Sequence, residues 1–272
     1  MIIDIHSNVG KRRARTAQER RQLVFLKRFY KAILPILKKQ YRDAADNIES
    51  YEFNFNYAIE KYNKDLRNIY RVNYQRILKE FGENLFKVFS EGKTYIKYES
   101  KSFIDDFWRY AIPWMNINTA TKVTQINETT KKRINLIVKK GMRTDSTNKE
   151  IADKIKQIAE ISLPFRAQRI ARTETHSAAN WATDKAMDSS RMMKEKEWIS
   201  ALDERTRTIG KGADFDHVAA NGERVAMDDT FKGTGENLRY PGDYENGSPG
   251  NIINCRCQAL YFTNVQVRRS GE

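Results

Sequence analysis

With 272 residues, 40% hydrophobic and 31% charged, the chain can form one large domain or two modest ones, and its charge content points to much solvated surface. Its 13 Tyr, 13 Phe and 4 Trp argue against intrinsic disorder, and a formal net charge of +14 favours a polyanionic partner, nucleic acid foremost. No run approaches the ~18 apolar residues of a membrane span, and Met1-Ile2-Ile3-Asp4-Ile5-His6 does not read as a signal peptide, so no membrane anchor is expected.

The positive charge is unevenly spread. Residues 1–110 hold 23 Lys/Arg against 14 Asp/Glu, residues 111–194 hold 16 against 8, and residues 195–272 hold 10 against 13. Residues 1–14 read as a basic flexible tail. The stretch 11–42 is the most basic, and Lys11, Arg12, Arg13, Arg15, Arg20, Arg21, Lys27 and Arg28 are candidate DNA contacts. The competing reading is a solvated helix face.

Leu23, Leu26, Tyr30, Ile33, Leu34 and Leu37 recur at helical spacing, and Pro35 is expected to kink or interrupt that helix. Residues 50–91 read as one long helix, from Phe55 through Tyr70 and Tyr74 to Val88, stopped near Gly92. Its aromatic face suits packing between helices, with base stacking as the alternative. A short helix over 101–112 should end before Pro113, and another should span 117–140, closed by Lys139-Lys140-Gly141. Thr147-Asn148-Lys149-Glu150 has the form of a capping box. Ser162-Leu163-Pro164 predicts a restart, with the next helix running to about Asp188.

From Lys194 glycine and proline become frequent and helical periodicity ends. Trp198-Ile199 and Val218 lie in expected strands, Asn221-Gly222 marks a two-residue hairpin, and 252–262 is expected as a last strand. The fold class that emerges is α+β: a long helical N-terminal region followed by a small C-terminal α+β module with a short antiparallel sheet. The expected division is a tail at 1–14, an elongated helical region at 15–144, a module at 145–262 and a C-terminal tail at 263–272.

Two segments are rich in chemistry-bearing residues. On one helix Arg172, His176 and Asn180 share a face, with Glu174 beside them. Nearer the C-terminus stand Asp203, Arg205, Arg207, His217, Asp243, Asn254, Cys255, Arg256 and Cys257. On an extended strand Cys255 and Cys257 would share a face, with Cα atoms about 6.5–7 Å apart, at the limit for an unstrained disulfide. A reduced site of synthesis fits best.

Four roles compete. His217, Cys255 and Cys257 could hold zinc, although a Cys-x-Cys pair is a weaker signal than two Cys-x-x-Cys knuckles. His217 could serve a metal-dependent nucleic-acid-processing enzyme that also uses the cysteine pair. A cysteine could be a nucleophile with His217 as base. The favoured role is structural and without a cofactor. Arg172, Glu174, Asp203, Arg207, Asn254 and Arg256 would act as hydrogen-bonded polar pins for a small sheet, with the cysteines as packing.

The ordered set resembles a known family. Ile170-Ala171-Arg172-Thr173-Glu174-Thr175 is followed by Lys196-Glu197-Trp198, Asp203-Glu204-Arg205-Thr206-Arg207, His217, Asn221-Gly222 and Phe231. Tyr240-Pro241-Gly242-Asp243 and Asn251-Ile252-Ile253-Asn254-Cys255-Arg256-Cys257 complete it. Over about 145–262 the chain is similar to the phage Mu F-like head morphogenesis family, the minor head proteins of tailed phages. The resemblance implies a non-enzymatic protein made in the host cytoplasm and built into the virion. It would lie inside the phage head near the portal vertex. Its implied partners are the portal protein, the inner capsid and packaged double-stranded DNA, and its implied roles are head assembly and genome delivery. One departure is that Thr208 to Asp216 separate Arg207 from His217, which argues against the two acting together.

Overall fold

The computed structural model describes residues 7–52, 54–85, 96–190 and 193–262. Helices dominate: α1 Asn8–Glu49, α2 Phe55–Glu60, α3 Asn63–Leu78, a π-helical turn at Lys79–Glu83, α4 Ile96–Arg143 and α5 Asn148–Ser189. A small antiparallel sheet follows, with strands β1 Glu195–Ile199, β2 Arg224–Ala226 and β3 Gln258–Phe262 in the order β2-β1-β3, and a single turn α6 at Pro249–Ile252. The fold is α+β, with long N-terminal helices and a small C-terminal sheet. By compactness the chain divides into two units, one built from 1–25, 76–111 and 172–272, the other from 26–75 and 112–171.

The second unit is all helical. Ile33, Leu37, Tyr41, Ala44, Ala45 and Ile48 are fully buried along α1, in phase on both sides of Pro35. Pro35 therefore sits inside α1 without interrupting it. Phe29 meets Tyr70 edge-on at 4.9 Å, and Tyr74 lies 5.2 Å from Trp114. Both tyrosines are buried, so the aromatic face packs between helices and is closed to bases. Polar ties also occur inside: Gln40 Nε2 donates to the Ile59 carbonyl at 3.0 Å and to Asn127 Oδ1 at 2.9 Å. Arg166, also buried, donates to Thr130 Oγ1 at 2.8 Å and to the Ile126 carbonyl at 2.9 Å.

Several helix ends differ from expectation. The expected 50–91 helix is broken into α2, α3 and the π-helical turn, and its last residues, with Gly92, lie outside the described residues. At the break, Asp43 takes an ion pair from Lys61 at 2.6 Å and a hydrogen bond from the Tyr62 hydroxyl at 2.5 Å. Pro113 does not end a helix, and Pro164 does not restart one. In α5 the buried stripe Ile155, Ala159, Leu163, Ala167, Ala171 keeps its spacing through Pro164. Packing of a continuous stripe outweighs the one hydrogen bond that each proline removes. The capping box is present: Thr147 N–H donates to Glu150 Oε2 at 2.7 Å and Glu150 N–H to Thr147 Oγ1 at 3.2 Å. Gly141 does not close α4, which runs to Arg143; instead an added Cβ would lie 2.4 Å from Ile151 Cγ1.

In the first unit β1 is the central strand, paired with β3 from Glu195↔Phe262 to Ile199↔Gln258 and with β2 from Glu195↔Ala226 to Glu197↔Arg224. Trp198, Ala220, Phe231, Leu238, Cys255, Cys257 and Ala259 form the buried cluster, while Ile199, Leu260 and Phe262 form a second one against which Ala14 packs. Lys11 pairs with Glu197 of β1 at 2.5 Å, and buried Gln22 meets Gln258 of β3 at 3.2 Å. These contacts explain why residues 8–14, expected as part of a loose tail, are helical. Residues 1–6 and the expected tail at 263–272 lie outside the described residues.

The Asn221-Gly222 turn does not join two adjacent strands through a two-residue hairpin. It closes a long excursion, 200–223, back onto β1: Gly222 N–H donates to the Trp198 carbonyl at 2.8 Å, and Trp198 N–H to the Glu223 carbonyl at 2.9 Å. Gly222 has φ +87°, the left-handed conformation that glycine adopts without strain. Val218 lies in a turn and is exposed, and β3 starts at Gln258, after α6 and a turn.

Candidate functional site

The polar residues singled out in the sequence converge on the segment just ahead of β3. Arg256 and Asp203 form a two-pronged pair with both contacts at 2.5 Å. The Arg256 guanidinium holds the Asp203 carboxyl well below the usual carboxylate range. Asp203 Oδ1 also accepts the Arg205 N–H at 3.1 Å, so one carboxylate fixes both a turn and a strand end. Arg207 donates to the carbonyls of Asn251, at 3.1 Å, and Ile253. Arg172 reaches Asn254 Oδ1 at 3.5 Å, and Asn254 N–H donates to Thr173 Oγ1 at 3.1 Å. Asn254 itself has φ +62°, a conformation asparagine tolerates better than most residues.

Glu174 accepts the Tyr244 hydroxyl at 2.9 Å. The expected face of α5 is real. His176 and Asn180 are buried side by side, and Asn180 Nδ2 lies 3.5 Å from the Cys257 carbonyl. Burial pushes the His176 imidazole down to about 4.

Sequence reasoning missed the carboxylates that shape the loops. Asp216 gathers the Thr208 hydroxyl at 2.9 Å and the N–H groups of Ile209, Val218 and Ala219. Glu223 accepts the N–H groups of Lys232 and Gly233, and Glu236 those of Ser248 N and Asn251 Nδ2. The Asp-x-x-Ala spacing at 216–219 is an available turn signal; Glu223 and Glu236 act across roughly ten residues or more and leave none. The separation of Arg207 from His217 also closes in space: His217 N–H donates to the Arg207 carbonyl at 3.0 Å. Residues 208–216 loop out and return.

His217, Cys255 and Cys257 come together. His217 Nδ1 lies 3.3 Å from Cys257 Sγ and 3.6 Å from Cys255 Sγ, and Ser200 Oγ is 3.5 Å from Cys257 Sγ. All three residues are at most 3% exposed, and His217 Nε2 is buried without a hydrogen-bond partner among the described residues. Trp198 stands edge-on to the imidazole at 5.8 Å. Burial pushes the Cys255 thiol well up. Burial alone would raise Cys257 too, but hydrogen bonds from Cys255 and His217 hold it well below the ordinary thiol value. The cysteines are not disulfide-bonded.

The candidate DNA contacts separate into two groups. Lys11 is taken up by Glu197, Arg15 by Glu19 at 2.8 Å, and Arg21 by Glu80 at 2.7 Å while it lies over the Phe81 ring. Arg12, Arg13, Arg20, Lys27 and Arg28 are exposed on α1. No helix among the described residues is long and apolar enough to cross a membrane.

Fold and site together define a helical protein carrying a small sheet module held by buried and half-buried polar ties. Residues 132–260 match the family model described as Phage Mu protein F like protein. Over this segment the chain is similar to the phage Mu F-like family of head morphogenesis proteins. Among curated proteins and solved structures no match is found.

Proposed function

We propose that the chain is a structural minor head protein of a tailed bacteriophage. It is assembled from the host cytoplasm into the head interior near the portal vertex and attached to the portal protein or inner capsid. Its roles there are head assembly and genome delivery. The observation that carries this reading is the family match, which spans the segment containing the Arg256–Asp203 pair and the Arg207 and Arg172 ties. Exposed Arg12, Arg13, Arg20 and Lys27 support contact with packaged DNA, since exposed cationic side chains can displace phosphate counterions. The protein acts without turnover. The cluster of a thiol pair with an imidazole is closed to a substrate, which favours the structural role over a metal-dependent nucleic-acid enzyme. Quantitative mass spectrometry of purified heads tests the proposal: a fixed low copy number, with cross-links to the portal protein, is expected. Heads that lack the protein would overturn it, and DNA cleavage abolished by His217→Ala would establish the enzyme instead.

A further inference from the structure

The geometry points to a zinc site formed by His217 Nδ1, Cys255 Sγ and Cys257 Sγ, acting as a structural clasp of the C-terminal module. The three atoms lie within 4.8 Å of one another, with the nitrogen 3.3 and 3.6 Å from the two sulfurs. Thiolate and imidazole are the ligands zinc prefers. With Zn–S about 2.3 Å and Zn–N about 2.0–2.1 Å in tetrahedral geometry, neighbouring N and S ligands stand roughly 3.5 Å apart. A single ring nitrogen either donates one proton or offers one lone pair, so it serves well only one of the two sulfurs it faces.

The three side chains are also aimed by contacts that do not involve their own donor atoms. The Asp216 carboxylate and the Arg207 carbonyl fix the backbone on both sides of His217. Asn254, turned at φ +62° and tied to Thr173, sends Cys255 and Cys257 into the same interior, and Asn180 holds the Cys257 carbonyl. Such outer contacts give a metal site its pre-organisation.

Charge balance favours burial. Two thiolates, a neutral imidazole and the Zn²⁺ dication sum to zero, so binding leaves no net charge among Trp198 and Phe231. Ser200 Oγ, 3.5 Å from Cys257 Sγ, is a polar neighbour of the fourth position. With residue exposures of 2–3% the metal is closed to substrate, so its role is to stabilise three short strands that bury little apolar surface.

The test uses the full chain, expressed with zinc in the medium and dialysed without chelator. About one zinc per chain is expected by elemental analysis. Replacing zinc with cobalt(II) should give a sulfur-to-metal charge-transfer band and the visible bands of a tetrahedral ion. Chelation should lower the melting temperature, and added zinc should restore it. Cys255→Ser and Cys257→Ser should each weaken the charge-transfer band, and the double variant should lose it. No retained zinc together with no cobalt band in the wild-type chain overturns the proposal, whether or not the serine variants fold. A band that survives intact in the folded double variant overturns it as well.

Discussion

A single carboxylate carries much of the order around the strand end. Asp203 meets Arg256 with two prongs and caps its own turn through Arg205 N–H. Its side chain is 41% exposed, so solvent screening trims the pair, and Asp203→Asn should cost about 1 kcal/mol in urea unfolding. Arg256→Lys should cost a similar amount, because an ammonium cannot reproduce the fork. His176 gives a pH signature. The folded chain keeps the imidazole neutral down to about 4, whereas the unfolded chain protonates it near 6.5. Its contribution is therefore intact above pH 6.5 and is lost as pH falls towards 4, by about 3 kcal/mol at most. Asp184 has the opposite slope. Burial lifts it to about 6, against Lys196 and Tyr261, so its proton favours the folded chain at low pH and that gain fades as pH rises from 3.8 to 6. The difference between wild type and His176→Gln isolates the histidine: it should grow with pH between 4 and 6.5, and a flat difference would refute the assignment. At this scale the sequence displays unusual Arg, Asp and Asn residues in a glycine-rich segment. It does not display their hydrogen-bond partners. Glu174 stands two residues from Arg172 and bonds Tyr244, seventy residues on, and spacing along a chain carries no information about that.

Among the elements, stripes of apolar residues were the readable signal and prolines the misleading one. Residue propensity says that Pro113 and Pro164 break helices, but the buried positions on either side stay in phase, and that phase decides. The capping box at Thr147 was readable because its two hydrogen bonds are local. The π-helical turn was not, since its cause is tertiary. Gly82 brings the backbone against Phe107, and a Cβ there would lie 2.1 Å from the ring. Gly82→Ala should therefore destabilise the chain by roughly 1–3 kcal/mol, and adding Phe107→Leu should return part of that loss in a double-mutant cycle. Additive losses would show that the glycine matters for some other reason.

For the whole molecule, net charge was the clearest sequence feature and its distribution the least complete guide. Lys11, Arg15 and Arg21 look identical in sequence to Arg13 and Arg20, yet the first three have carboxylate partners in the fold. DNA binding should follow the distinction. Changing Arg12, Arg13, Arg20 and Lys27 together to alanine should flatten the salt dependence of affinity by roughly 0.9 in slope for each phosphate no longer neutralised. Lys11→Ala should leave that slope unchanged, and a Lys11-dependent slope would mean that its pair with Glu197 opens on DNA. The excursion at 208–216 offers a practical handle. It leaves and rejoins the fold at Arg207 and His217, is clasped at its base by Asp216, and has open space around Gly212. Chain added at such a tip lengthens a loop that is already closed, and doubling its length costs only about 0.6 kcal/mol. A short epitope spliced in at Gly212 should thus leave the clasp and the sheet undisturbed, giving electron microscopists a visible marker for where this chain resides in an assembled particle.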